Sequence, residues 1–337
     1  MKAPRHWSNP PEAPGLRAAL LTPAGWAYGL AGRLRRAASR PMRARVPVIC
    51  VGNLTAGGAG KTPTTLALCD RLAALGLEAH VLSRGYGARL KGPLRVDPSE
   101  HDAEAVGDEP LLMAQRRPVW IGADRRETAA EAVLSGAQIL VMDDGYQNPH
   151  LHQDLPLVVI DAQAGFGNER LIPAGPLREP LERGFARAGA AIMIGRPKPG
   201  ERWPWTPPGL PLLHARLAAD TGGRSLKGAK IIAFAGIGRP EKFFDTLRDL
   251  GADLVETTAF PDHHRYSAAM LQRLEARAQA RGATLATTEK DAVRFPKWFR
   301  GRALVVRVSL GFAEPAAIDA VLRPLIDPSR AADARVG

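Results

Sequence analysis

Runs of consecutive apolar, often β-branched residues alternate along most of this chain with longer segments whose apolar positions return every three or four residues. The first pattern predicts strands buried on both faces, at 46–51, 79–83, 119–121, 138–142, 157–160 and 191–194. The second predicts helices from 61 through Leu66, Ala67 and Leu72, around 109–116, and over 125–134. Residues 84–105 follow neither pattern. Alternation of this kind is what a mostly parallel sheet with crossover helices requires, so the expected class is α/β. Residues 196–211 break the rhythm. They are dense in proline, cannot continue a sheet interior and mark a junction. A second series follows, with strands at 231–234, 254–257, 283–287 and 304–308 and helices at 240–250, 267–281 and 315–322. The polar tail from Asp327 is expected to fray. The chain is therefore expected to divide into an N-terminal helical segment over 1–45, a first α/β domain over 46–205 and a smaller C-terminal α/β domain over 206–337.

The N-terminal segment has its own pattern. Thr22-Pro23 reads as an N-cap followed by proline at the first helical position. A helix starting there sets Trp26, Ala27, Leu30, Ala31, Leu34 and Ala38 on one face, with Arg33, Arg36 and Arg40 beside it and Arg35 on the other flank. A short helix upstream would present Leu16, Leu20 and Leu21. The net charge of +12 suggests nucleic acid at first sight. Residues 1–45, however, hold nine lysines and arginines against Glu12 alone, so eight of the twelve net charges sit in this segment. No broad basic face remains for a nucleic-acid partner. A basic amphipathic helix suits an anionic membrane surface, and it equally suits packing on the body of the protein. Arg17 and the prolines interrupt any secretory core, and no apolar run approaches the ~20 residues of a membrane span. With 337 residues, 45% hydrophobic and 24% charged, the chain is an ordinary globular one too long for a single core. Cys50 and Cys69 lack metal-ligand spacing and read as buried thiols in a reducing, cytoplasmic compartment.

The chemistry concentrates after the strand at 46–51. A glycine-rich turn, Thr55-Ala56-Gly57-Gly58-Ala59-Gly60, leads into Lys61-Thr62 at the start of a helix, the layout of a P-loop. Its backbone N–H groups and the positive end of the helix dipole suit phosphate oxygens. Lys61 can reach the β- and γ-phosphates, and Thr62 can offer its hydroxyl to Mg²⁺. Pro63 falls in the first helical turn, where its missing N–H costs little. The usual P-loop pattern has glycine where Thr55 stands. The strand at 138–142 runs into Asp143-Asp144-Gly145, carboxylates placed to join the metal shell of a nucleotide or, alternatively, to start a turn. Gly107-Asp108-Glu109-Pro110 puts two acids at a helix start, which read alone is a capping pair. His263 and His264 flank a loop with Asp262; adjacent histidines diverge and no third ligand is evident, so proton transfer or orientation suits one of them better than metal binding. Arg84, in Ser83-Arg84-Gly85-Tyr86-Gly87, can meet an anionic substrate or sit in a plain loop.

Taken in order, the segments Gly-Asn-Leu-Thr-Ala-Gly-Gly-Ala-Gly-Lys-Thr-Pro (52–63), Ser-Arg-Gly-Tyr-Gly (83–87), Gly-Asp-Glu-Pro (107–110), Asp-Asp-Gly-Tyr-Gln-Asn (143–148), Ile-Pro-Ala-Gly-Pro-Leu-Arg-Glu (172–179), Phe-Pro-Asp-His-His (260–264) and Thr-Thr-Glu-Lys-Asp-Ala-Val (287–293) resemble the tetraacyldisaccharide 4′-kinase family. The resemblance runs from about residue 16 to 310, and Thr55 is itself a feature of that family. Asn148-Pro149 stands where the family often has histidine. The resemblance implies transfer of the ATP γ-phosphate to the sugar 4′-hydroxyl of a tetra-acylated glucosamine disaccharide 1-phosphate in lipid A biosynthesis, peripherally on the cytoplasmic face of the inner membrane. It implies ATP and Mg²⁺ as cofactors, and an active site between the P-loop domain and the C-terminal domain. Asp108 would be the catalytic base and His263 its partner. Asp143 and Asp144 would belong to the metal environment, with Arg84, Tyr86, Arg178, Glu179 and Asp262 near the substrate or the transferring phosphate. Two other classes fit less well. A P-loop GTPase switch would need an Asn-Lys-x-Asp guanine reader, and Glu289-Lys290-Asp291 has the wrong spacing; a nucleic-acid-dependent ATPase would need its charge spread over a face.

Overall fold

A computed structural model describes residues 3–197, 199 and 203–326; the tail from Asp327 and part of the proline-dense stretch lie outside them. The α/β alternation holds. In the first half β1 (Val48–Gly52), α2 (Lys61–Ala74), β2 (Ala79–Ser83), β3 (Leu94–Arg95), α3 (Ala103–Val106), α4 (Asp108–Ala114), β4 (Val119–Ile121), α5 (Arg125–Leu134), β5 (Ile139–Asp143), β6 (Leu155–Asp161), α6 (Leu181–Phe185) and β7 (Ala190–Ile194) follow α1 (Leu16–Ala37). The second half contains β8 (Leu212–Asp220), β9 (Lys230–Ala235), α7 (Pro240–Asp249), β10 (Asp253–Ala259), α8 (Ala268–Ala280), β11 (Thr284–Thr288), α9 (Glu289–Ala292), β12 (Leu304–Phe312) and α10 (Pro315–Ile326).

The strands form one twelve-stranded sheet in the order β10-β9-β11-β12-β8-β7-β6-β1-β5-β2-β4-β3. Pairing is parallel except for β12 with β8 and β4 with β3. β1 lies between β6 and β5, every residue buried, as a parallel strand covered on both faces must be. The apolar-run pattern does not reveal the two-residue β3 or the nine-residue β8. In β8 the reason is alternation. Its inward Leu213 and Ala215 alternate with exposed Leu212, His214 and Arg216, so no continuous apolar run marks it. It pairs with β7 on one side and β12 on the other, and so carries the sheet across the proline-dense connection.

Side chains on the two faces of β1 enter different cores. Ile49 and Val51 join Leu66, Leu68 and Leu72 of α2, while Val48 and Cys50 join Tyr146, Leu151 and Phe185. Ile318 and Leu322 of α10 pack into the first of these cores, and Asp319 pairs with Arg71 of α2. The last helix thus returns to the first half. Both cysteines are buried and free, and burial pushes their thiols up, Cys69 to about 12.

The N-terminal segment departs from expectation. One helix runs from Leu16 to Ala37 straight through Pro23, rather than two with a start at Thr22-Pro23. Proline removes a single backbone donor, and Thr22 turns its hydroxyl onto the Ala18 carbonyl instead of capping. Continuity changes the face. At about 3.6 residues per turn Leu16 and Leu20 fall into the stripe of Trp26, Leu30 and Leu34, and this whole stripe is exposed, Leu16 at 77% and Trp26 at 67%. The helix docks by the opposite face, where Ala18 and Gly25 are buried and a Cβ on Gly25 would stand 3.1 Å from the Leu171 carbonyl oxygen. Among the described residues no helix is long and apolar enough to cross a membrane.

Candidate functional site

β1 delivers the chain into the glycine-rich turn at residues 53–60. Gly60, the N-cap of α2, has φ +85°, and a Cβ there would stand 2.6 Å from Ile194 Cδ1, so both backbone and space call for glycine. The turn is held from inside by Asn53, fully buried, whose Nδ2 donates to Thr55 Oγ1 (3.4 Å) and the Gly57 carbonyl (3.3 Å). From outside it is braced by the segment 171–178: Ala56 N–H donates to the Pro176 carbonyl at 2.7 Å, and Arg178 N–H to the Leu54 carbonyl at 2.8 Å. Lys61 Nζ donates to Asn53 Oδ1 (3.3 Å) and the Gly57 carbonyl (3.2 Å) and lies 3.6 Å from Asp144 Oδ1. The ammonium therefore rests on the oxygens of its own loop, close to where an anion would take it up. Thr62 is buried in the first turn of α2.

β5 pairs in register with β1 and ends at Asp143, beside this loop. Asp143 is buried and accepts from Thr65 Oγ1 at 2.9 Å. Burial, with the carboxylates of Glu109 and Asp144 adding to it, raises its pKa above the ordinary carboxylate range. Asp144 stands at φ +49°, an uncommon conformation for a side-chain-bearing residue. Burial works against its charge, but Lys61 and Arg178 outweigh it and hold this carboxyl below the usual range. Arg178 Nη1 donates to Asp144 Oδ1 at 2.9 Å and to Gln147 Oε1 at 3.3 Å. Glu179 is engaged differently. It takes Arg187 (2.6 and 2.7 Å) and Gln147 (2.9 Å), and the same guanidinium lies 4.2 Å over the Tyr146 ring.

The C-terminal half supplies the other wall. Asp108, the first residue of α4, caps nothing: its Oδ2 accepts from His263 Nδ1 and from Arg294 Nε, each at 2.7 Å. Burial opposes its charge, and the His263 hydrogen bond with the Arg294 guanidinium keeps it ionised below the usual range. His263, at φ +58°, is raised above the ordinary histidine value chiefly by that same bond. Next along α4, Glu109 pairs with Lys290 at 2.6 Å. Asp262 is exposed and accepts from the His263 N–H at 3.1 Å. His264 points away, its Nε2 3.3 Å from Met270 sulfur. Among the described residues no group of three or more His, Cys, Asp or Glu side chains is set to hold a metal. Arg84 and Tyr86 are exposed in the loop after β2, Tyr86 at 87%, and its carbonyl adjoins Gly107 immediately before Asp108. Arg125, buried beneath that loop, donates to the Ser83 and Gly122 carbonyls at 2.7 and 2.6 Å. On the far side of the P-loop a cleft of about 490 Å³ is lined by Asp161, Gln163, Ile194, Arg216 and Lys242, with Arg239 paired to Asp161 at 2.7 Å.

The structure thus gathers Thr55–Thr62, Asp143, Asp144, Arg178 and Glu179 on one side and Asp108, Asp262 and His263 on the other. Sequence reasoning passed over Asn53, Thr65, Gln147, Arg187 and Arg294. Asn53 and Gln147 lie inside quoted motifs, and Arg294 one residue past the last of them; Thr65 and Arg187 carry no local signal.

Comparison with known proteins identifies the family. Residues 17–327 match the family described as tetraacyldisaccharide-1-P 4′-kinase. A tetraacyldisaccharide 4′-kinase of Rhodospirillum centenum is 52% identical over 328 residues, covering 97% of each chain. That of Dinoroseobacter shibae is 50% identical, covering 96% of this chain and 98% of its own. The crystal structure of Aquifex aeolicus LpxK in complex with ATP superposes with a TM-score of 0.74 at 27% identity, over 91% of this chain and 99% of that one. With that coverage and identity, this chain belongs to the tetraacyldisaccharide 4′-kinase family.

Proposed function

We propose that this chain transfers the γ-phosphate of ATP to the 4′-hydroxyl of a tetra-acylated glucosamine disaccharide 1-phosphate, a step of lipid A biosynthesis. The observation that carries the chemistry is Asp108, an ionised carboxylate held by an imidazole from the other half of the chain. It sits one residue before Glu109, whose charge is felt at Asp143 beside the P-loop. A sugar hydroxyl is a poor nucleophile at neutral pH, and a positioned carboxylate accepts its proton as the phosphoryl group arrives. His263 orients that carboxylate. The turn 55–60 cradles the phosphates with its N–H groups, and Lys61 leaves its loop acceptors for the β- and γ-phosphates. Arg178 and Arg84 offer guanidinium groups to the transferring phosphate and the anionic acceptor. Glu179 holds Gln147 and Arg187 behind them, while Tyr86 and Asp262 border the acceptor's approach. The cleft beside Asp161 and Ile194 is space for the nucleoside end.

Thr62, Asp143 and Asp144 would hold Mg²⁺. The residues fit: the set is all oxygen, as a hard cation prefers, and Asp143 lies in the negative field of Asp144 and Glu109. The ion would supply charge neutralisation on the phosphate oxygens.

The exposed stripe of α1, flanked by arginines, is the surface that meets an anionic bilayer, where the acyl chains of the acceptor remain. That makes the protein peripheral on the cytoplasmic face of the inner membrane. In this reading the segments 46–205 and 206–337 act as the two walls of the cleft. Incubation with Mg-ATP and the lipid disaccharide 1-phosphate should yield a product heavier by one phosphate, by mass spectrometry. Failure of the purified, folded protein to make it would overturn the assignment.

A further inference from the structure

Arg294 stands directly behind the Asp108 carboxylate, its side chain only 5% exposed. While Nε donates to Asp108 Oδ2, Nη1 donates to the Gly236 carbonyl at 3.0 Å, Asp291 Oδ1 at 3.1 Å and the His264 carbonyl at 3.4 Å. Asp291 is itself immobilised. It is fully buried and takes the Tyr266 hydroxyl at 2.7 Å, the Thr288 hydroxyl at 2.6 Å and the Gly236 N–H at 2.9 Å. Gly236 admits this convergence because a Cβ there would stand 3.0 Å from His264 Cβ and 3.1 Å from Asp291 Oδ1. His263 and Arg294 both bond the same oxygen of Asp108. Among the described residues Oδ1 has no side-chain or backbone donor.

We propose that Arg294 is a positioning residue for proton acceptance: fixed by three acceptors of the C-terminal half, it clamps Asp108 Oδ2 and so turns Oδ1 toward the acceptor hydroxyl. This rests on the reading of Asp108 as the base. The clamp has a chemical cost, since two cationic partners lower the basicity of the carboxylate they orient. Geometry is gained at the expense of proton affinity, and misplacing a reacting group by about 1 Å costs on the order of 10²-fold. The other charged groups facing this carboxylate are already paired or lie behind the clamp: Glu109 with Lys290, Asp262 beside His263, Glu104 with Arg265 at 3.3 Å, and Asp291 with Tyr266 beneath Arg294.

The test uses the full-length protein, Mg-ATP and the lipid disaccharide 1-phosphate, with kcat measured across pH for Arg294→Gln, Arg294→Lys and Asp108→Asn. Arg294→Gln should lower kcat at least about 10-fold, leave KM for ATP near wild type, and move the acidic limb of the profile up by roughly one pH unit. Arg294→Lys keeps the charge and should leave the limb in place, but one ammonium cannot reach Asp108 and the three anchors together, so kcat should still fall. A role confined to stability would lower activity at every pH without moving the limb. An unmoved limb in Arg294→Gln beside an inactive Asp108→Asn would overturn the proposal while sparing the base. Near-wild-type turnover in Asp108→Asn would overturn the base reading, and this proposal with it. If Arg294→Gln does not fold, Arg294→Lys decides: unchanged kcat there overturns the clamp.

Discussion

Taking water away from a carboxylate favours its protonated form, yet Asp108 and Asp144 are both held below the ordinary range because cations stand against them. Asp143, without an equivalent cation in hydrogen-bonding reach, goes the other way. For the Asp108–His263 pair the two shifts have opposite signs. Asp108, depressed from 3.8, stabilises the fold above its unfolded pKa and ceases to as pH falls through its folded one. His263, raised from 6.5, stabilises below its unfolded pKa and ceases to as pH rises through its raised one. Both contributions are therefore full between 3.8 and 6.5, and each is lost only as pH passes the folded pKa that lies beyond its own edge of that window. An NMR titration should find the His263 ring above 6.5 in the native protein and nearer 6.5 in Asp108→Asn; equal values would show the bond absent in solution. Asp108→Ala should lower kcat roughly 10²–10⁴-fold with little change in ATP affinity. Lys61→Ala should abolish turnover while circular dichroism stays native, since it removes charge and little packing. Near-wild-type kinase rates in either variant would contradict the assigned role. The P-loop was legible because strand, glycines, lysine and helix lie within twenty residues. Arg294 was not, for it meets Asp108 across 186 positions and spacing carries no trace of that.

At the scale of elements, hydrophobic periodicity located nearly every strand and helix of the sheet, because strands buried on both faces must be continuously apolar. It missed β8, whose outward His214 and Arg216 dilute the signal, and the short β3, α3, α6 and α9, and it split α1 at Pro23. Proline is costly within a helix, but here the first turn of the supposed second helix was already attached to a preceding one. Two faces of α1 can now be separated experimentally. Gly25→Val pushes against the Leu171 backbone and should destabilise the protein by about 1–3 kcal/mol. Replacing Leu20, Leu30 and Leu34 by serine touches only exposed positions and should leave the melting temperature unchanged while reducing flotation with anionic vesicles. Trp26, in the same stripe, should shift its emission to shorter wavelength on binding, and high salt should weaken attachment because only the charge term is screened. Unaltered flotation of the serine variant would rule out the stripe as the membrane surface.

For the molecule as a whole, the division into halves is crossed by more than a linker. β8 joins the strand sets, α10 packs beside α2, and Asp108–Arg294, Glu109–Lys290 and Asp161–Arg239 tie the walls of the cleft. Unfolding followed by tryptophan fluorescence and by far-ultraviolet dichroism should therefore give coincident transitions; two separated midpoints would mean that the halves melt independently. The α/β class was readable from alternation alone, whereas continuity of the sheet depends on a pairing of β8 with β12 that no local pattern encodes. One segment, 166–178, connects matters that are otherwise far apart. On one side it grips the N-terminus, through Asn168 on the His6 carbonyl, Trp7 Nε1 on the Pro173 carbonyl and Leu171 against Gly25. On the other it holds the Leu54 and Ala56 backbone of the phosphate loop. The seat of α1 and the backbone frame of the phosphate loop therefore share one supporting stretch of chain, so a substitution that loosens this stretch should be felt at both ends.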